Sequence, residues 1–569
     1  MAMIHTDETL FRDHLEFNPS RFMENNNLEK NLIPFGIGKR ACPGESLARA
    51  ELYLILGNLI LDYDLQAVGE LPAIKTPTPF GLMKRPPSFD IRFIPIGCPF
   101  PLPLIGNFHT VGYYAWKNGG IVAGLQAIRK QYGKVVTLWM GPIPVVHIAD
   151  YDVAHETHVK RANIFGHRYM QGGMDYLREG RGIIGSDGDF WLEHRRFALK
   201  TLRDFGLGRN IMEAKIIDEY NHRFSESKKV HWKNGAIEIH ANTFFDYLIG
   251  SIINQLLVSE RFQSGDREFE KLKTSLVESI ENLSILDAFA PLWLMKSDLM
   301  KWRTKTTLAP FDYVLTLVKK SIQKRVTAIE NGTHVVSEEG DDFVDAFLIK
   351  MERDKQEGLV STFDLDTLAI DLFDLWLAGQ ETTSTTLTWA CACLLNHPEV
   401  VEKIRAELES VTGGNRSVSL IDRANTRYLN ATINEIQRIA SILNFNLFRY
   451  LKEDTVIDGQ PISEGTLFTA QLSLFHTDET LFEDHTKFNP SRFLENSTLE
   501  KKLIPFGIGK RSCLGESLAR AELYLTVGNL VMDYHLEPVG PTPEIKTPCP
   551  FAIAKRPPVF DIRFVPRNH

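Results

Sequence analysis

Apolar side chains recur at three- and four-residue spacing through most of the chain between residues 98 and 475. This period is typical of helices, and short apolar runs between turn residues are typical of strands. A hairpin with its turn at Gly141-Pro142 is predicted from two short runs. The pattern therefore predicts a mainly α-helical domain with a small β part. The predicted helices are 122–132, 204–225, 243–257, 266–286, 311–331, 363–395 and 398–411, and the predicted strands are 134–139, 144–148, 455–460 and 467–469.

A long internal repeat sets the domain boundaries. Residues 5–94 align without gaps with residues 476–565, and 65 of the 90 aligned pairs are identical. A repeat of this length indicates a duplicated segment rather than the short period of a solenoid. We therefore expect a fragment at 1–96 that duplicates the C-terminal region, followed by a complete domain at 97–569. The proline-rich stretch Gly97–Asn107 is predicted to be extended where the two meet.

Composition narrows the function classes without selecting one. The chain has 569 residues, 43% of them hydrophobic, and a net charge of −8, which suits a globular protein and gives no sign of nucleic-acid binding. Its six cysteines include no C-x-x-C pair, so a zinc knuckle or a thioredoxin-type motif is not expected. No apolar run approaches the roughly 18 residues of a membrane-spanning helix, and we expect no span.

A ten-residue loop with one cysteine occurs twice, as Phe506–Gly515 and as Phe35–Gly44. In both copies the cysteine precedes a predicted helix, whose free N–H groups favour a thiolate. Gly509 permits a positive φ angle and a close approach of the backbone to a bound group. Arg511 can donate to a carboxylate. The alternative for Cys513 is a small buried apolar residue, which is the usual role of a free cysteine.

Three further constellations lie in the main domain. Trp191 and Arg195 are four residues apart and share one helix face, although such a pair is also common as a packed tryptophan beside a surface arginine. Glu435-Ile-Gln-Arg438 has the spacing of an intrahelical ion pair, a pattern that is frequent on any helix, and we interpret it as scaffold.

The third constellation is Ala378-Gly-Gln-Glu381-Thr382-Thr383, inside a long apolar helical run. Glycine and β-branched residues weaken a helix interior, so a local bulge is predicted there. The alternative is a capping box that starts a new helix. A hydroxyl and a carboxylate at such a bulge could transfer protons.

The pattern F-x-x-G-x-R-x-C-x-G resembles the haem-binding loop of the cytochrome P450 family, and the other constellations follow in the family's order over about 98–569. The similarity is closest to the animal microsomal branch that handles drugs, fatty acids and steroids. The resemblance implies the cytochrome P450 fold and a haem b whose iron is bound by Cys513. It assigns the haem site to the following residues: Phe506, Gly509, Arg511, Trp191, Arg195 and Arg449.

The same resemblance implies a monooxygenase in which Thr382 and Glu381 relay protons. One oxygen atom of O2 would enter a small apolar substrate, such as a xenobiotic, a fatty acid or a steroid-like molecule. Electrons would come from NADPH through a separate NADPH–cytochrome P450 reductase, since no dinucleotide fingerprint follows a predicted strand. The family branch implies the endoplasmic reticulum membrane, whereas the missing span leaves the cytoplasm open, with contact at the membrane surface.

Several alternatives remain at this point. A haem isomerase or dehydratase would use the same ligand without needing Glu381 and Thr382. The second alternative is a fusion protein that binds haem but is catalytically impaired. The fragment 1–96 is expected to be an appendage, and the competing hypothesis is that its Cys42 exchanges with Cys513. The substrate cannot be named from the sequence.

Overall fold

The computed structural model of the chain describes residues 2–14, 16–24, 28–69, 71, 90–95, 99–102, 105–170, 173–205, 210–281, 292–298, 300–545 and 555–567. The chain divides into two compact units, Met1–Cys98 and Pro99–His569, called unit 1 and unit 2 below. Among the described residues, no helix is both long and apolar enough to cross a membrane.

Unit 1 is built from short helices and one antiparallel strand pair, in which Tyr63 lies opposite Pro95. A 3-10 turn at Gly38–Arg40 precedes its one long helix. The described elements are α1 (Ala2–His5), α2 (Ser20–Glu24), α3 (Leu28–Asn31), α4 (Glu45–Asp62), β1 (Tyr63–Val68) and β2 (Asp90–Pro95).

Helix α4 is apolar on several sides, yet its described side chains are largely exposed. Leu52 is 63% exposed, Tyr53 80% and Ile55 61%. A helix that is hydrophobic all round normally lies inside a core. Helix α4 therefore has the sequence of a buried helix, but its described apolar side chains are exposed to solvent in unit 1.

Unit 2 carries most of the helices. The described ones are α5 (Phe108–Asn118), α6 (Ile121–Tyr132), α7 (Tyr151–His155), α8 (Ala162–Phe165), α9 (Gly173–Tyr176), α10 (Gly188–Asp204), α11 (Asn210–Val230), α12 (Ala241–Val258), α13 (Arg267–Glu281), α14 (Leu292–Met295), α15 (Lys301–Glu330), α16 (Phe343–Gln356), α17 (Leu365–Asn396), α18 (Pro398–Thr412), α19 (Arg427–Ala440), α20 (Leu472–His476), α21 (Ser491–Glu495), α22 (Thr498–Lys502) and α23 (Glu516–Asp533). A π-helical turn, Glu156–Lys160, and two 3-10 turns, Leu420–Asn425 and Gly509–Arg511, complete this set.

The strands of unit 2 form two larger sheets and one hairpin. One sheet has the order β3-β4-β11-β8-β5, with β11 parallel to β4, and the other has the order β12-β13-β7-β6. Strands β9 and β10 form the hairpin. The strands are β3 (Val135–Met140), β4 (Ile143–Ile148), β5 (His167–Arg168), β6 (Trp232–Lys233), β7 (Ala236–His240), β8 (Arg449–Tyr450), β9 (Thr455–Ile457), β10 (Gln460–Ile462), β11 (Leu467–Ala470), β12 (Tyr534–Val539) and β13 (Asp561–Pro566).

The core of unit 2 surrounds α17. This helix packs along α12 and also contacts α15, α19 and α23. Leu372, Phe373 and Trp389 are fully or almost fully buried on it. Helix α23 follows the cysteine loop and lies among α11, α17, α18 and α19, so the core fixes the cysteine loop relative to α17.

The protein is mostly helical with a smaller strand part, as the sequence predicts. The hairpin β3–β4 is confirmed, with its turn at 141–142. The predicted start of one helix at 311 is wrong, because α15 begins at Lys301 and continues through Pro310, whose missing N–H is tolerated beside the buried Leu308 and Phe311. Strands β6 and β7 were not predicted, since β6 has only two residues. The predicted helical residues 282–286 lie outside the described residues.

Candidate functional site

The cysteine loop is a tight turn that ends where α23 begins. The backbone N–H of Cys513 donates to the Phe506 carbonyl at 2.9 Å, and that of Ser512 donates to Gly509 at 2.9 Å. Cys513 keeps accessible surface, although protein atoms surround the sulfur closely. Burial raises the pKa of the Cys513 thiol, while the backbone N–H of Gly515 and the Arg195 guanidinium lower it. The loop and the neighbouring helix α10 thus each supply one group that stabilises a thiolate.

Gly509 is required by the packing of this loop on the π-helical turn. Its φ is +80°, and a Cβ at this position would lie 2.0 Å from the carbonyl oxygen of His158. Any side chain would therefore push the loop away from the body of unit 2. Phe506, at the start of the loop, lies under the guanidinium of Arg520, 4.8 Å from its ring centre.

Four arginines gather beside the loop with one carboxylate between them. They come from β5, α10, β8 and the loop itself: Arg168, Arg195, Arg449 and Arg511. Asp187 pairs with Arg511 at 2.6 Å. Burial and the neighbouring guanidinium of Arg511 lower the pKa of Arg449 to about 9. Burial also lowers the pKa of Arg168 well below its ordinary value, and Arg449 and Arg511 add to this. The arginine cluster fits a dianionic group that would offset its charge.

Strand pairing places two of these cations directly opposite each other. Arg168 of β5 faces Arg449 of β8 in the antiparallel register, an arrangement that destabilises a sheet unless an anion lies nearby. Nε of Arg449 is buried and has no hydrogen-bond partner. An unsatisfied buried donor of a charged group is the second sign of an anionic ligand at this place.

Helix α10 brings Trp191 and Arg195 to the same site, as their spacing predicts. Trp191 is 8% exposed, and the Arg511 guanidinium carbon lies 3.6 Å from its ring centre. Arg195 donates to the carbonyl of Ser512 at 2.7 Å, next to the cysteine. Arg511 uses Nε, Nη1 and Nη2 on Gly166, Ser186 and Asp187, which leaves one N–H on each terminal nitrogen for a ligand.

The second part of the site lies on α17. The predicted bulge is wrong, and so is the capping-box alternative, because α17 is continuous from Leu365 to Asn396. Gly379 has a packing reason instead: a Cβ there would lie 2.8 Å from Cδ1 of Ile253 on α12. Thr382 is half-buried, and its hydroxyl donates to the Ala378 carbonyl at 2.7 Å.

The acidic side chains near this threonine are in contrasting states. Glu381 is ion-paired with Lys273 and Arg556, which lower its pKa although burial opposes ionisation. Glu522 of α23 is buried, and burial raises its pKa to about 8, while the Thr383 hydroxyl hydrogen-bonds to it. Glu381, next in sequence to Thr382, is therefore charged at neutral pH, and Glu522, which is hydrogen-bonded to Thr383, is neutral.

The E-x-x-R pair forms a buried ionic centre. Arg438 contacts both carboxylate oxygens of Glu435 at 2.8 Å, and Arg492 adds a third bond to Glu435 at 3.2 Å. Arg438 also donates to the carbonyls of His476 and His485, which start the segment leading to the cysteine loop. These contacts agree with the scaffold interpretation.

The loop in unit 1 has the same backbone and different surroundings. The N–H of Cys42 donates to the Phe35 carbonyl at 2.9 Å, as in unit 2. Gly36 and Gly38 also have positive φ angles. No atom lies within 4 Å of a Cβ built on Gly38, whereas Gly509 is in contact with His158. The sequence of the loop itself therefore determines the turn, whereas the packing around the turn depends on residues outside the loop.

The sequence analysis missed Arg168, Asp187 and Lys273. Arg168 stands in the short sequence Phe165-Gly-His-Arg, which carries no periodic signal, and β5 has only two residues. Its role depends on pairing with a strand 281 positions later, and one sequence gives no indication of that pairing.

Comparison with known proteins agrees with this arrangement. The model of the family described as Cytochrome P450 matches residues 1–93 and 96–564. A protein of Caenorhabditis elegans described as probable cytochrome P450 cyp-35D1 is 40% identical over 473 residues, 82% of this chain and 94% of that protein. Cytochrome P450 2H1 of Gallus gallus is 31% identical over 480 residues, and cytochrome P450 2B4 of Oryctolagus cuniculus is 30% identical over 477, each covering 82% of this chain and 93% of the relative.

A mostly helical fold with a cysteine loop ahead of a core helix, together with these relatives, defines a haem-thiolate monooxygenase. The chain belongs to the cytochrome P450 family. The cofactor of this class is haem b, whose two propionates are the kind of dianion that the arginine cluster fits.

Proposed function

We propose that unit 2 binds haem b through Cys513 and inserts one oxygen atom of O2 into a small apolar organic substrate. The observation that carries this assignment is the arginine cluster beside the cysteine loop, with an unsatisfied Nε on Arg449. A bound haem with a thiolate ligand supplies the cleavage of the O–O bond. The protein supplies the ligand, the counter-charges and the protons.

Most of the predicted site residues have a part in this proposal. Arg195 and the N–H of Gly515 favour the anionic form of the Cys513 sulfur and so oppose the effect of its burial. Trp191 supports the Arg511 guanidinium from below its plane. Arg449 and the newly found Arg168 offset the charge of the propionates.

Thr382 and Glu381 would supply protons for the oxygen chemistry that a bound haem provides. Thr382 donates to the preceding turn of α17 and can exchange that bond for one to a ligand. Glu381 is charged at neutral pH and can accept and pass on a proton. The presence of both residues favours a monooxygenase over a haem isomerase or dehydratase, which needs no proton relay.

The partners follow from the family. We propose that electrons come from NADPH through a separate NADPH–cytochrome P450 reductase and that the protein works at the endoplasmic reticulum membrane, in surface contact with it. The substrate class, a xenobiotic, fatty acid or steroid-like molecule, rests on the resemblance to the animal microsomal branch. Cell fractionation with a reductase marker tests the location.

We also propose that unit 1 is a partial duplicate of residues 476–565 and an appendage to the enzyme. The identity of 65 of the 90 aligned pairs supports this origin, as does the repeated order of turn, long helix and strand pair. The exposed α4 supports the appendage role, since none of the described residues of unit 1 encloses a ligand beside Cys42.

The test is a reduced carbon monoxide difference spectrum of the full chain, with haem counted per chain. One haem with a strongly red-shifted Soret band is expected for the parent protein and for Cys42→Ala, and its loss is expected for Cys513→Ala. A thiolate spectrum that persists in Cys513→Ala would instead support exchange between the two loops. A parent protein without bound haem would mean that the fusion has lost the fold or the ligand, whereas a normal haem spectrum without product formation would favour the catalytically impaired fusion.

A further inference from the structure

An ion-pair network joins three helices and the C-terminal segment at Glu381. Lys273 of α13 contacts Glu381 of α17 and lies 2.8 Å from Asp246 of α12. Arg556, from the segment 555–560 that precedes β13, contacts the other oxygen of Glu381. Ser384, less than one helical turn after Glu381, hydrogen-bonds to Asp246.

The Lys273 end of the network is largely buried, whereas Arg556 is 38% exposed. The side chains of Lys273, Glu381 and Asp246 are 15%, 14% and 20% exposed. Two cations face two carboxylates, and each member of the Lys273 pairings comes from a different helix. Charges this far from water are held only when they are paired, so the removal of one changes the state of the others.

Lys273 is the shared member. It serves two carboxylates at once, and burial and Glu381 together raise the pKa of Asp246 even with Lys273 present. Lys273 itself has a raised pKa because the two carboxylates outweigh its burial. Without Lys273, Asp246 would be left with Ser384, and Glu381 with Arg556 alone.

We propose that Lys273 is a positioning residue for Glu381, held in place by Asp246, and that it fixes this carboxylate in one orientation on α17, next in sequence to Thr382. The inference rests on the proposed role of Glu381 in proton delivery. The ion pair between Lys273 and Glu381 also joins α13 to α17. The stability of α13 and the delivery of protons therefore depend on the same contact.

The test compares Lys273→Met with Lys273→Arg in the haem-loaded full chain. The control is Lys271→Met, which removes a cation from the same helix, where Lys271 lies over the ring of Tyr313 and outside the network. The readouts are the fraction of NADPH electrons recovered in product rather than in hydrogen peroxide, from pH 6 to 9, and amide hydrogen exchange of α13.

We expect Lys273→Met to lower the productive fraction about tenfold at neutral pH, because Glu381 is no longer held in the geometry that proton transfer requires. Its α13 amides should exchange faster. Lys273→Arg should restore most of both properties, and Lys271→Met should match the parent. In addition, Lys273→Met combined with Glu381→Gln should be no worse than Glu381→Gln alone, since the two act through one group.

Two results overturn different claims. If Glu381→Gln lowers the productive fraction and Lys273→Met matches Lys271→Met in both readouts, the positioning role of Lys273 is wrong and the proposed function stands. If Glu381→Gln itself leaves the productive fraction unchanged, the role of Glu381 in proton delivery fails, and this inference fails with it.

Discussion

The two copies of the cysteine loop allow one glycine to be tested against its own duplicate. Gly509→Ala and Gly38→Ala introduce the same methyl group into loops with the same backbone hydrogen bonds and similar φ angles, +80° and +73°. In unit 2 the methyl carbon would lie 2.0 Å from the carbonyl oxygen of His158, and in unit 1 it meets nothing within 4 Å. The pair therefore separates backbone strain from packing.

The expected size of the effect follows from these contacts. A left-handed conformation costs an alanine about 1–2 kcal/mol, and an overpacked contact costs about 1–3 kcal/mol more. The partner atom of Gly509 belongs to the backbone of the π-helical turn and cannot rotate away, which places the total near 4 kcal/mol. At about 2.1 cal/mol/K per residue, a unit the length of Pro99–His569 has an unfolding entropy near 1 kcal/mol/K, so its Tm should fall by about 4 °C.

Tryptophan fluorescence follows the unfolding of unit 2, because all eight tryptophans lie there, and amide hydrogen exchange of each loop compares the two variants on one scale. Thermal scans should show the lowered Tm for Gly509→Ala, together with a lower haem content, and no shift for Gly38→Ala. Equal behaviour of the two variants would refute the reasoning, since it would mean that the contact with His158 contributes no energy.

Two further predictions concern buried charge. The carboxyl group of Glu522 keeps its proton up to about pH 8 in the folded protein and loses it near pH 4.5 when unfolded, so the free energy of unfolding should fall as pH rises through this window. Glu522→Gln keeps a partner for Thr383 and cannot titrate. It should match the parent near pH 5 and exceed it by several kcal/mol at pH 8 in urea unfolding followed by fluorescence, whereas parallel pH curves would contradict the raised pKa. Arg168→Met should lower haem affinity about tenfold, measured as the rate of haem transfer to a scavenger protein, because it removes one charged donor from the propionate site. The exposed Arg196→Met is its control, and equal transfer rates would exclude Arg168 from the site.

The sequence predicted those parts of the fold that depend on local pattern. Helix α17 was predicted at 363–395 and is observed at Leu365–Asn396, because a long apolar period leaves few alternatives. The turn around Cys513 was predicted because glycine, arginine and cysteine stand at fixed spacing in one segment. The bulge at Gly379 was predicted wrongly, since propensity says nothing about Ile253, which packs on that glycine from α12.

Long-range relations account for what the sequence did not provide. Arg168 joins the site through a two-residue strand pair with Arg449. Lys273 reaches Glu381 across 108 positions, and neither the charge nor the spacing of a lone lysine indicates that partner. Site residues within one motif were therefore found, while those supplied by distant elements were not.

The exposed helix of unit 1 also has a consequence for the life of the protein in a cell. Chaperones and proteases recognise apolar segments that remain accessible, and α4 displays Leu52, Tyr53 and Ile55 on one helix, whereas unit 2 has a large buried core. We expect the abundance of the protein to be governed by recognition of this one helix rather than by the unfolding of unit 2. Unit 1 would then leave the chemistry intact and act on the amount of protein, by shortening the half-life of every molecule that carries it.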